Sequence, residues 1–114
     1  MVQECRTVAD FASLLVSSEE RPVFLFKHST SCPISASRWG VLQVFADSEP
    51  RADFWKVLVI QDRPVSLHIA DETGVRHQSP QAILFYRGKP VWNESHYRIT
   101  EDELRAALER ALKG

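Results

Sequence analysis

Cysteine is scarce in this chain: there are two among 114 residues, Cys5 and Cys32, too few for a disulfide framework. That scarcity suits a compartment where thiols stay reduced unless they are working, and the expected location is cytoplasmic. Long apolar runs are missing as well. No segment approaches the roughly 20 residues of a membrane span, so no membrane association is expected. Met1 to Arg6 lack the charged and apolar regions of a secretion signal. There is no excess charge of either sign. The formal net charge is −1 with acidic and basic residues interspersed, which provides neither a basic block for nucleic acid nor an acidic tail for a charged partner. Repeats, low-complexity stretches and linkers are absent, so residues 1–114 are read as one domain with a modest core. A monomer is expected.

What is present is an ordered series of elements. Val8, Phe11, Ala12 and Leu15 recur at helical spacing behind Thr7-Val8-Ala9-Asp10, a capping-box pattern. Val23 to Phe26 is a continuous apolar run, the pattern of a strand buried on both faces. A second helix starts near Pro33, which suits a first helical position. It carries Ile34, Val41, Leu42 and Phe45 and closes at Ser48-Glu49-Pro50. Phe54 to Ile60 reads as another buried strand, and Pro64 to Glu72 as a short helix stopped by Thr73-Gly74. Gln81–Tyr86 and Lys89–Asn93 flank Arg87-Gly88 as a hairpin. Thr100-Glu101-Asp102-Glu103 reads as a capping box ahead of a last helix with Leu104, Ala107, Leu108, Ala111 and Leu112 on one face.

The order is αβαβαββα. A β-α-β start requires a right-handed crossover and parallel strands, and the hairpin adds an antiparallel strand. The fold class is therefore α/β, thioredoxin-like, with a four-stranded mixed sheet flanked by helices.

The chemistry centres on Cys32. A strand, a short polar loop and a helix start place its thiol where exposed backbone N–H groups and the helix dipole favour thiolate. Lys27 and His28 are candidates to assist it. The alternative, a buried inert cysteine, fits poorly with a position just before proline at a helix start. Ser35 stands where a C-x-x-C motif carries its second cysteine. It is either a weak hydrogen-bond donor to the thiolate or a tolerated small polar residue, and it cannot close a disulfide. Cys5 is either a distant resolving thiol or, as expected here, an incidental residue on a mobile N-terminal stretch. His28, His68, His77 and His96 lack the i, i+3 or i, i+4 spacing of a ligand motif, so no metal is expected. Trp39, Trp55 and Trp92 are read as core or half-buried residues, because a nucleic-acid stacking platform would need a basic groove beside it.

Two stretches carry a family resemblance. One is Phe26-Lys27-His28-Ser29-Thr30-Ser31-Cys32-Pro33-Ile34-Ser35; the other is Arg76-His77-Gln78-Ser79-Pro80-Gln81, followed by Trp92, Ser95-His96 and Ile99-Thr100. Together they resemble the monothiol bacilliredoxins, thioredoxin-like proteins of the bacillithiol system, over nearly the whole chain. Gln78 departs from the family pattern, which has an acidic residue before Ser-Pro.

The resemblance implies an activity. Bacillithiol is a low-molecular-weight thiol that some bacteria use in place of glutathione, and under oxidative stress it forms mixed disulfides with proteins. A monothiol bacilliredoxin takes the bacillithiol onto its own cysteine and releases the protein thiol, and a second thiol then regenerates it. Cys32 would be the nucleophile. Thr30, Ser31, Pro33, Arg76, Ser79 and Pro80 would border the substrate, with Ser79-Pro80 as the cis-proline dipeptide of this fold. X-Pro bonds are the ones for which cis is accessible; a trans proline opening a strand is the alternative. Lys27 and Arg76 are candidates for the malate carboxylates of bacillithiol, on charge alone. Partners would be S-thiolated proteins and the small thiol, with bacillithiol as co-substrate and no tightly bound cofactor. Two other functions fit the same residues: exchange with glutathione or coenzyme A, and a non-enzymatic redox sensor capped at one cysteine.

Overall fold

The computed structural model describes residues 2–114; Met1, part of the stretch read for a secretion signal, lies outside them. The elements are β1 (Val2–Glu4), α1 (Val8–Ser17), β2 (Val23–His28), α2 (Pro33–Ser48), β3 (Asp53–Leu58), α3 (Arg63–Thr73), β4 (Gln81–Tyr86), β5 (Lys89–Ser95) and α4 (Glu101–Lys113), with a short 3-10 turn at His96–Arg98 before α4. The sheet runs β1-β3-β2-β4-β5. β1 and β2 pair with β3 in parallel, and β4 is antiparallel to β2 and β5.

The fold is thus thioredoxin-like α/β, but with five strands rather than the expected four, and the order begins with a strand. β1 is only three residues long, with Val2 opposite Phe54. A strand that short shows no alternation to read. The same edge corrects the reading of Cys5. Its N–H donates to the Lys56 carbonyl at 2.8 Å and its side chain is fully buried, so the residue is a fixed part of the core.

Local chemistry sets most boundaries. Thr7 Oγ1 accepts from the Asp10 amide at 3.0 Å, and the Asp10 carboxylate accepts from the Thr7 amide at 3.1 Å, completing the box at α1. At α4 only half of the expected box forms, from the Glu103 amide to Thr100 Oγ1. Gly74 caps α3 in the left-handed region, which glycine adopts without the steric cost of a Cβ. β5 extends to Ser95, beyond the expected Asn93, because its pairing runs to Gln81.

β2 lies at the centre and is buried along its whole length. Its side chains alternate between two layers. Phe24 and Phe26 pack with Leu42 and Phe45 of α2 and with Leu104 and Leu108 of α4. Val23 and Leu25 pack with Phe11 and Leu14 of α1 and with Val65 and Ile69 of α3. Lys27 continues the α1–α3 layer, where its ammonium meets Ser66, and His28 continues the α2 layer, where its ring stacks on Trp39. Adjacent residues of one strand are therefore delivered to opposite faces, just ahead of the loop to Cys32.

Candidate active site

Cys32 is the N-cap of α2, with extended backbone (φ −112°, ψ 120°), and Pro33 opens the helix behind it. Its amide donates to the Ser29 carbonyl at 3.3 Å, while its own carbonyl accepts from Ala36 at 3.1 Å. The backbone is thus fixed on both sides. The thiol is half-buried, unoxidised, and makes no capping bond. Thr30, Ser31 and Pro33 beside it are exposed, and Thr30 Oγ1 accepts from Gln61 at 3.1 Å.

Ser35 lies one turn into α2 and is fully buried. Its Oγ accepts from the Ser29 amide at 2.9 Å and sits 2.7 Å from His28 Nδ1. The hydroxyl therefore braces the Cys32 loop against the end of β2, and neither bond goes to Cys32. His28 is held below the ordinary histidine range, by burial first and by the Lys56 charge second. A neutral ring results near neutral pH, stacked at 5.7 Å on Trp39. Lys56 Nζ lies over that indole, 4.9 Å from its centroid.

Lys27 and Cys32, expected together, are directed apart. Lys27 Nζ donates to the Ser66 carbonyl at 3.0 Å and lies 3.1 Å from His77 Nδ1. Full burial, the one cause, lowers its pKa to about 8. A side chain so enclosed cannot meet a carboxylate of a bound thiol, which removes it from that role. Arg76 is exposed, and its carbonyl accepts from Gln81 Nε2 at 3.0 Å.

The Ser79–Pro80 bond is cis. The β2–β4 register pairs Lys27 with Gln81, which sets Pro80 level with His28 at the sheet end from which the Cys32 loop departs. The Pro80 carbonyl accepts from the His96 amide at 3.0 Å, tying this strand start to the turn after β5. Ser79 Oγ is buried without a hydrogen-bond partner.

Cys5 belongs to the α1–α3 layer. Its thiol is pushed up to about 12, mainly by burial, with Asp10 and Asp62 adding to the effect. It is a poor nucleophile in that setting. Among the described residues no three His, Cys, Asp or Glu side chains come together to hold a metal, and no helix is long and apolar enough to cross a membrane. Two groupings were not legible in the sequence, His28–Ser35 and Lys27–Ser66–His77. The one available signal was Lys27-His28 itself, two polar residues closing an apolar strand.

Comparison with known proteins agrees with this geometry. The family described as monothiol bacilliredoxin BrxC matches residues 3–104. A solved structure described as an oxidoreductase with a thioredoxin fold superposes with a TM-score of 0.84 at 34% identity, covering 93% of this chain and 92% of that one. Thioredoxin from Fasciola hepatica gives 0.79 at 22% identity, over 96% of this chain and 99% of its own. Thioredoxin from Trypanosoma brucei brucei gives 0.80 at 19%, over 100% and 93%. The last two share the fold.

Proposed function

Because the chain belongs to the monothiol bacilliredoxin family, we propose that this thiol oxidoreductase removes bacillithiol from protein mixed disulfides through Cys32. The Cys32 thiolate attacks the bacillithiol sulfur of the mixed disulfide. That S–S bond breaks, the protein sulfur leaves as a thiolate and takes a proton from solvent, and a new S–S bond joins Cys32 to bacillithiol. A second thiol then attacks the adduct, releases Cys32 and carries away bacillithiol as a disulfide.

The observation that carries this reading is Ser35. An oxygen, bonded to Ser29 and His28, fills the site of a resolving thiol, while Cys5 is buried and held protonated. The adduct on Cys32 therefore has no internal partner and awaits another molecule. In this reading the substrate would lie against Thr30, Ser31, Pro33 and Arg76, all four of them exposed, and against Ser79-Pro80. The reading has the protein acting as a monomer in the cytoplasm on S-thiolated proteins, with bacillithiol as co-substrate and no bound cofactor.

Intact-mass spectrometry tests it. An S-bacillithiolated protein mixed with this chain should transfer one bacillithiol adduct, mapped by digestion to Cys32, and Cys32→Ser should abolish the transfer. Equal transfer by Cys32→Ser would refute the mechanism. Faster transfer from the same protein carrying glutathione or coenzyme A would assign a different small thiol. Adduct formation that no added thiol reverses would indicate a sensor rather than an enzyme.

A further inference from the structure

A lysine buried in a central strand is unusual, because its charge is stripped of water. Among the described residues no carboxylate pairs with Lys27. Its ammonium donates to the Ser66 carbonyl of α3 at 3.0 Å and to His77 Nδ1 at 3.1 Å, and the Ser66 hydroxyl lies 3.3 Å from His77 Nδ1. An ammonium has three donors and no acceptor, so Nδ1 accepts and the neutral ring carries its proton on Nε2. The next anchor lies across the strand pair, where Gln81, opposite Lys27, donates to the Arg76 carbonyl at 3.0 Å. His77 and Gln81 thus grip the segment Gln78-Ser79-Pro80 from both ends.

The neighbouring charges do not relieve the pair. From α3, Arg63 acts on His77 with the same sign as Lys27. β3 presents Val57 opposite Lys27, and β4 presents uncharged Gln81. The loop contributes exposed Arg76. The carboxylates of this layer, Asp10 of α1 and Asp62 before α3, bear on Cys5.

We propose that Lys27 is a positioning residue for the Gln78-Ser79-Pro80 segment, holding it through His77 Nδ1 and releasing it when that nitrogen is protonated. This deepens the proposed function and rests on it in one respect, that the segment borders the substrate of Cys32. Protonation of His77 removes the acceptor and sets two cations side by side. Burial and the two positive neighbours hold His77 below the ordinary histidine value, so the segment is held at neutral pH and released on acidification.

Nuclear magnetic resonance of the full chain tests this without needing activity. At neutral pH the His77 ring nitrogens should show the Nε2–H tautomer, and the Gln78 and Ser79 amides should have order parameters near the ~0.85 of rigid backbone. Lys27→Met should drop them below about 0.6. Acidification of the native protein should do the same, in step with the His77 titration. In His77→Asn the amide oxygen replaces Nδ1 and does not titrate, so order should persist across that range. His77→Ala, which leaves Lys27 in place, should loosen the segment and serves if Lys27→Met does not fold. Transfer from a mixed disulfide to Cys32 should slow about tenfold in Lys27→Met, as expected for a misplaced substrate contact.

An ordered segment in both Lys27→Met and His77→Ala, a His77 titration that leaves the segment unchanged, or an Nδ1–H tautomer at neutral pH would overturn the proposal. Loss of order with an unchanged transfer rate would overturn its link to the reaction. A native protein that takes up no adduct would overturn the functional reading instead, and the order parameters would still decide the role of Lys27.

Discussion

Ser35 is bound to the Ser29 amide and lies within hydrogen-bond distance of His28, so its oxygen is structural as well as a replacement for sulfur. The consequence is chemical. Residues three apart on a helix are neighbours, so a thiol at this position would stand beside Cys32 within the reach of a disulfide. Ser35→Cys is therefore expected to convert a stable mixed disulfide on Cys32 into an internal bond with the introduced thiol, releasing free bacillithiol. Mass spectrometry would read the loss of the adduct; a persistent adduct would show that the His28 site holds the new side chain away. At this scale the sequence was partly legible. Cys32 at a helix start, Ser35 one turn on, and Ser79-Pro80 could all be read from neighbours along the chain. The partners of Ser35 and Lys27 could not, because His77 comes 50 residues after Lys27 and only the closed sheet brings them together.

β2 shows how an element divides its chemistry. Alternation sends Phe24, Phe26 and His28 toward α2, and Val23, Leu25 and Lys27 toward α1 and α3. A buried charge on the second face has a price in stability with a defined pH window. Lys27 falls from 10.5 to about 8 on folding, so between those values the unfolded chain holds a proton that the folded chain has shed. Stability should therefore rise with pH across that window, by on the order of 3 kcal/mol. Below about 8 both states are charged, the full burial cost applies, and no rise is expected. Urea unfolding at pH 7.5 and 10 would measure it, with Lys27→Met as the reference in which this contribution vanishes. An equal rise in native and variant proteins would assign it to other groups. Element boundaries followed the same logic of legibility. The α1 cap and the Gly74 stop are local devices and were readable. β1 was not, since three residues become a strand only by pairing with β3.

Across the whole molecule, topology brings to one sheet end what the sequence holds apart: the Cys32 loop after β2, the Ser79-Pro80 start of β4, and the turn at His96 after β5. The second cysteine is kept in a core layer beneath the sheet. The arrangement leaves one half-buried, uncommitted thiol with no internal sulfur to receive its adduct. The overall order of helices and strands was readable except at the N-terminal edge, where Cys5, read as an incidental residue on a mobile stretch, is a core residue. The most direct measurement is intact-mass analysis of the native chain after a stoichiometric S-bacillithiolated protein is added, before and after a second thiol. One adduct on Cys32 is expected, persisting in the absence of further thiol and disappearing when it is supplied. A Cys5–Cys32 disulfide, or an adduct lost with no second thiol present, would contradict it.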